Sequence, residues 1–164
     1  MKPIDAAVPP NSLLGRLAQQ RSAFADAYTL SLPRAVSLAD FVEAFYTTRL
    51  FKVERALISL LGKPSSDAMA RAVARGEGSR IAVWTVEART ADELLMHEDS
   101  VATRSWFKVE PGAGGGTLLW FGSAVVPRRH EPCGAARMGT VFRLLLGFHR
   151  LYSRALLAAA ARKL

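Results

Sequence analysis

The chain has 164 residues, half of them hydrophobic, with 22 Lys and Arg against 14 Asp and Glu, a net charge of +8. This size and composition suit one domain with a real core and exclude disordered, collagenous and disulfide-stapled classes. Cys133 is the only cysteine, so no intramolecular disulfide or thiolate metal cage can form.

Residues 1–22 read as a loosely attached N-terminal arm and residues 23–162 as the body. The start lacks a basic segment followed by an apolar one, so a cytoplasmic location is expected. Leu13, Leu14 and Leu17 form one short amphipathic turn able to dock on the body. Residues 25–32 read as the first strand, stopped by Pro33. Ser37-Leu38-Ala39-Asp40 then has capping-box spacing and opens a helix. Leu38, Phe41, Val42 and Phe45, continued by Leu50, Val53, Leu57 and Leu60, recur at intervals of three and four until Gly62 and Pro64. A second helix covers about residues 66–75 and ends at Gly76 and Gly78.

From Arg80 the period changes to two. Residues 81–89, 93–97, 101–110 and 117–126 are four strand-like runs rich in Val, Thr, Trp and Phe. Their short links predict an antiparallel meander. The Gly112–Gly116 segment joins two strands, whereas a phosphate loop joins a strand to a helix, so it reads as a hairpin turn. A final long helix starts near Ala136. Residues 141–161 are long enough to cross a bilayer, yet Arg143, His149, Arg150 and Arg154 lie inside that stretch and argue against it.

The expected fold is α+β: an antiparallel sheet of five or more strands, two helices between the first and second, and a long C-terminal helix covering one face. This element order is the helix-grip arrangement.

Several segments carry a resemblance. Residues 37–48 (SLADFVEAFYTT), 83–87 (VWTVE), 103–107 (TRSWF), 121–126 (FGSAVV) and 146–154 (LGFHRLYSR) resemble a family of uncharacterised proteobacterial proteins. That family implies no activity. The element order is further similar to START-like (SRPBCC) ligand-binding domains, and this implies a ligand cavity between sheet and last helix. Enzymes with such pockets use a single buried His, Asp or Glu, and the candidates here are His97, Glu87 and His149.

Trp84, Trp106 and Trp120 sit on three different strands. If they share a face, Leu118, Gly122 and Ala124 share it too, and small residues beside large ones leave room for a ligand. Phe148 and Tyr152 of the last helix complete the expected ligand-binding set. On a wheel of about 100° per residue, Arg143, Gly147, Arg150 and Arg154 form one stripe. Val141, Leu144, Leu145, Phe148, Leu151, Tyr152, Ala155 and Leu156 form the packed face opposite. Residues 127–164 also hold Arg128, Arg129, Arg137, Arg162 and Lys163 against Glu131 alone. Arg143, Arg150 and Arg154 therefore suit an anionic membrane surface or an acidic protein, or simply a solvated face.

His97-x-Asp99 with His149 or His130 has the spacing of a two-histidine, one-carboxylate iron site. Glu98, Asp99 and Ser100 read equally as a polar turn, and no metal or cofactor is expected. Ser123 and Ser153 lack a nucleophile motif, and no nucleic-acid-reading motif is present. The leading expectation is a non-catalytic module holding a hydrophobic or amphipathic small molecule. A small enzyme of lyase, cyclase or isomerase type in the same pocket, and a pocketless protein-interaction domain, are the alternatives.

Overall fold

A computed structural model describes residues 2–59, 62, 65–98, 103–126 and 140–164, with the backbone alone at 54, 57 and 140–148. The chain runs β1 (Ile4–Ala6), α1 (Leu13–Arg21), β2 (Phe24–Leu32), α2 (Leu38–Tyr46), α3 (Arg49–Ser59), α4 (Asp67–Arg75), β3 (Arg80–Ile81) and β4 (Trp84–Arg89). It continues through β5 (Glu93–Glu98), β6 (Thr103–Pro111), β7 (Thr117–Val125) and α5 (Thr140–Lys163). The strands form one antiparallel sheet in the order β1-β2-β7-β6-β5-β4-β3. The fold is α+β, with α5 laid against the sheet as in the helix-grip arrangement.

Period-two alternation gives each strand two faces. One face carries Tyr28, Leu30, Leu94, Met96, Phe107, Leu119 and Phe121, packed with Phe41 and Phe45 of α2 and Leu156 and Leu157 of α5. Phe45 stands edge-on to Phe107 with ring centroids 4.8 Å apart. Each such buried side chain contributes about 1.5–3 kcal/mol from water exclusion alone. The other face carries Ala27, Leu95, Trp106 and Ala124 beneath Leu14 and Leu17 of α1. At Gly122 a Cβ would lie 2.7 Å from Leu14 Cδ2 and 2.8 Å from the Asp26 carbonyl, so a glycine is needed for α1 to seat.

The local signals explain the element ends. Ser37 and Asp40 form a complete capping box. The Ser66 side chain caps α4, whose C-cap Gly76 has φ 79° in the left-handed region. Arg89 of β4 donates to the carbonyls of Val73 (2.7 Å) and Ala74, completing the end of α4 where a cation also meets the helix dipole. Burial pulls the Arg89 pKa below its ordinary value.

Four expectations need correction. The arm is tied down: β1 pairs with β2, Ser12 caps α1, and Leu13 N donates to the buried Glu93 carboxylate at 2.7 Å. The first strand of the sequence reading is therefore β2, and three helices, not two, separate it from β3. The long helix breaks at Thr47 and Thr48, whose hydroxyls donate back to the carbonyls of Glu43 (2.6 Å) and Phe45 (2.9 Å). The break changes the helical phase, so Phe51 and Arg55 are buried while Val53 is 61% exposed. Finally, residues 81–89 hold a tight turn at Ala82 and Val83, and Ala82 adopts φ 51°.

Buried Arg55 locks the rearranged helices. Its guanidinium donates to Asp67 Oδ1 at 2.7 Å, to Ser65 Oγ and the Ser65 carbonyl at 2.9 Å each, and to the Tyr46 carbonyl at 3.4 Å. Among the described residues no helix is long and apolar enough to cross a membrane.

Candidate functional site

The strand register decides which side chains can meet. Asp26 lies opposite Ser123, and Ser123 lies opposite Ser105, so three polar residues cross β2, β7 and β6 on the face that α5 covers. His149 of α5 reaches this line, with Nε2 2.6 Å from Ser123 Oγ. Ser123 Oγ donates to Asp26 Oδ1 at 2.6 Å, and Tyr28 O–H donates to Asp26 Oδ2 at 2.9 Å.

Proton counting orders this chain. Burial, and next the Asp26 charge, push the Tyr28 phenol above its ordinary pKa, so Tyr28 stays a donor. Ser123 has one proton and gives it to the carboxylate, so its oxygen must accept from His149 Nε2–H. Nδ1 is thereby left as the acceptor nitrogen of the ring. The order differs from a nucleophilic triad, where histidine stands between acid and serine. Here serine stands between acid and histidine, an order that holds the His149 ring through Ser123.

Beside His149 is a cavity of about 160 Å³. Phe45, Phe51, Phe121, Trp84 and Leu156 give it apolar walls, with Tyr46 and Tyr152 alongside. Thr103, Ser105, Ser153 and His149 supply polar groups. The Trp84 Nε1–H is buried and has no hydrogen-bond partner among the described residues. An aromatic cavity with a few convergent polar atoms is the usual form of a small-molecule site.

The sequence-derived residues divide between the two faces. Trp84, Tyr152 and His149 line the cavity. Trp106 and Trp120 do not: they pack together 6.1 Å apart on the opposite face, bonded to Glu93 (2.7 Å) and Glu110 (2.9 Å). The premise that the three tryptophans share a face is thus corrected, because register pairs Trp106 with Gly122 and places Trp120 two residues away on that same outer face. His97 and Glu87 also stand apart from the cavity. His97 is paired in register with Arg104, and Glu87 sits at a strand irregularity, bonded to Arg104 at 2.5 Å and 3.9 Å from His97 Nδ1. An acid–base group for this cavity cannot be either of them.

The side chains of Phe148 and Arg143 lie outside the described residues, as do Asp99, His130 and Cys133. Among the described residues no three His, Cys, Asp or Glu side chains converge on a metal position. Arg150 is exposed, whereas Arg154 is engaged by its own chain, 2.9 Å from Asp5 and 5.7 Å above the Tyr28 ring. Leu151, expected in the packed face, is 69% exposed; Ser153, Leu156, Leu157 and Ala160 form the buried line instead. Asp26 and Tyr28 escape the sequence reading and Ser123 is set aside by it, since isolated polar residues in apolar strands carry no motif. The only signal was their spacing at inward-facing positions.

No family model matches the chain, and no curated protein matches it. Among solved structures, the crystal structure of CalU16 from Micromonospora echinospora is 10% identical, over 86% of this chain and 83% of that one, with a TM-score of 0.32. The fold assignment rests on the sheet order and the position of α5 themselves.

Proposed function

We propose that the chain is a cytoplasmic binding domain that holds a small amphipathic molecule between the sheet and α5. The supporting observation is the 160 Å³ cavity with aromatic walls and His149 at its polar side. Size selects the ligand class. An apolar cavity of about 150 Å³ accommodates one benzene ring, so the buried part is a single ring or a short branched chain. A hydroxyl on that ring donates to His149 Nδ1, and an acceptor meets Trp84 Nε1–H. The cationic excess of α5 is read as serving a separate, anionic partner.

A second reading is favoured by the Tyr28–Asp26–Ser123–His149 chain. With Nε2–H held by Ser123, Nδ1 can act as a general base toward a bound enolisable ligand, and the carboxylate two bonds away stabilises the imidazolium.

The three indole N–H signals test the binding reading. On titration with phenol or indole, the Trp84 signal shifts in a nitrogen–proton NMR spectrum while those of Trp106 and Trp120 stay in place. Equal shifts of all three, or none at millimolar ligand, overturn it.

A further inference from the structure

An open groove of about 790 Å³ lies between the α2–α3 junction and the C-terminal half of α5, away from the ligand cavity. Its floor is Ala155, Ala158 and Ala159. Arg49 and Lys52 stand on one rim, Arg162 and Lys163 on the other. Large apolar side chains continue the same surface. Leu50 and Val53 of α3 are 36% and 61% exposed, and Leu151, one turn before Ala155, is 69% exposed.

The charge is one-sided. Lys52 is matched by Asp67 at 2.6 Å, and Lys163 is held by Thr47. Arg49 and Arg162 have no carboxylate partner among the described residues, and α5 contains no Asp or Glu along its whole length. A helix face that served only solubility would mix signs.

We propose that this groove docks an amphipathic helix of a partner protein whose apolar stripe is bordered by Asp or Glu. The groove is concave, so a rod reaches its floor and a flat bilayer does not. Alanines let a third helix approach at the 8–10 Å spacing usual for packed helices, and the volume corresponds to about two turns of a helix 10 Å wide. Leu50, Val53 and Leu151 meet its apolar stripe, and Arg49 and Arg162 flank it, one on each side. This rests on the charge reading of α5 and is independent of the cavity.

The test is fluorescence anisotropy with a labelled synthetic helix carrying a leucine stripe bordered by glutamates, and with its lysine-bordered counterpart. The glutamate helix binds at least about tenfold more tightly. The Arg49→Glu, Arg162→Glu double variant loses about tenfold. Ala158→Arg, which fills the floor while adding positive charge, also weakens binding. Arg49 and Arg162 are exposed and Ala158 is half-buried on the groove floor, so circular dichroism is the check that each variant is folded. Equal binding of both helices, no binding of either, or an unweakened Ala158→Arg overturns the proposal. So does binding of phosphatidylglycerol vesicles through Arg49 and Arg162 in place of the peptide.

Discussion

Filling the cavity has an effect whose sign depends on whether the cavity exists. Ser105 projects from β6 into it and is 9% exposed. Ser105→Ile places three apolar carbons in a 160 Å³ space in exchange for one hydroxyl. Burying three such groups contributes about 2 kcal/mol at about 0.8 kcal/mol each. In a fully packed core the same substitution costs about 1–3 kcal/mol through overpacking. The account predicts a gain of about 2 kcal/mol in urea unfolding and a rise in Tm of roughly 4–8 °C for a chain of this length. Strand propensity favours isoleucine as well, so Ser31→Ile on the exposed side of β2 is the control; it changes stability by less than about 1 kcal/mol. Destabilisation of Ser105→Ile with an unchanged control refutes the cavity.

Other substitutions test the supports of the site. Gly122→Ala forces a methyl against the Asp26 carbonyl and Leu14, and destabilises by about 1–3 kcal/mol. Combining it with Leu14→Ala costs less than the sum of the two, a coupling that a double-mutant cycle reads directly. Glu93→Ala leaves both Leu13 N–H and Trp106 Nε1–H without their acceptor. At about 1–3 kcal/mol per orphaned donor it frees α1, and amide exchange accelerates across residues 13–21. Bonds from Lys52 and next Arg55 hold the Asp67 carboxyl below its ordinary pKa of 3.8. A depressed folded-state pKa gives stability that is present above 3.8 and is lost as pH falls through the folded value. Wild type therefore exceeds Asp67→Asn in stability at neutral pH, and the difference closes in acid titrations below 3.8.

The sequence disclosed what local chemistry determines. The capping box at Ser37 and Asp40, the stop at Gly76 and the period-two runs each act within a few residues, so they are readable in one dimension. The break at Thr47 and Thr48 was not, because no glycine or proline marks it and Leu50 and Val53 extend the helical spacing into an exposed face. Parity along one strand is visible in a sequence, but the phase between strands is not. Alternation alone therefore lets Trp106 and Trp120 share a face with Trp84, and only the register separates them. The Asp26–Ser123–His149 chain joins residues 97 and 26 positions apart, where only the sheet order brings them together.

Native mass spectrometry of the protein purified from its host without detergent tests the ligand-holding claim most directly. The account predicts a small, reproducible added mass that is lost on denaturation and absent from Ser105→Ile. A bare mass under the gentlest conditions, identical in wild type and variant, contradicts it.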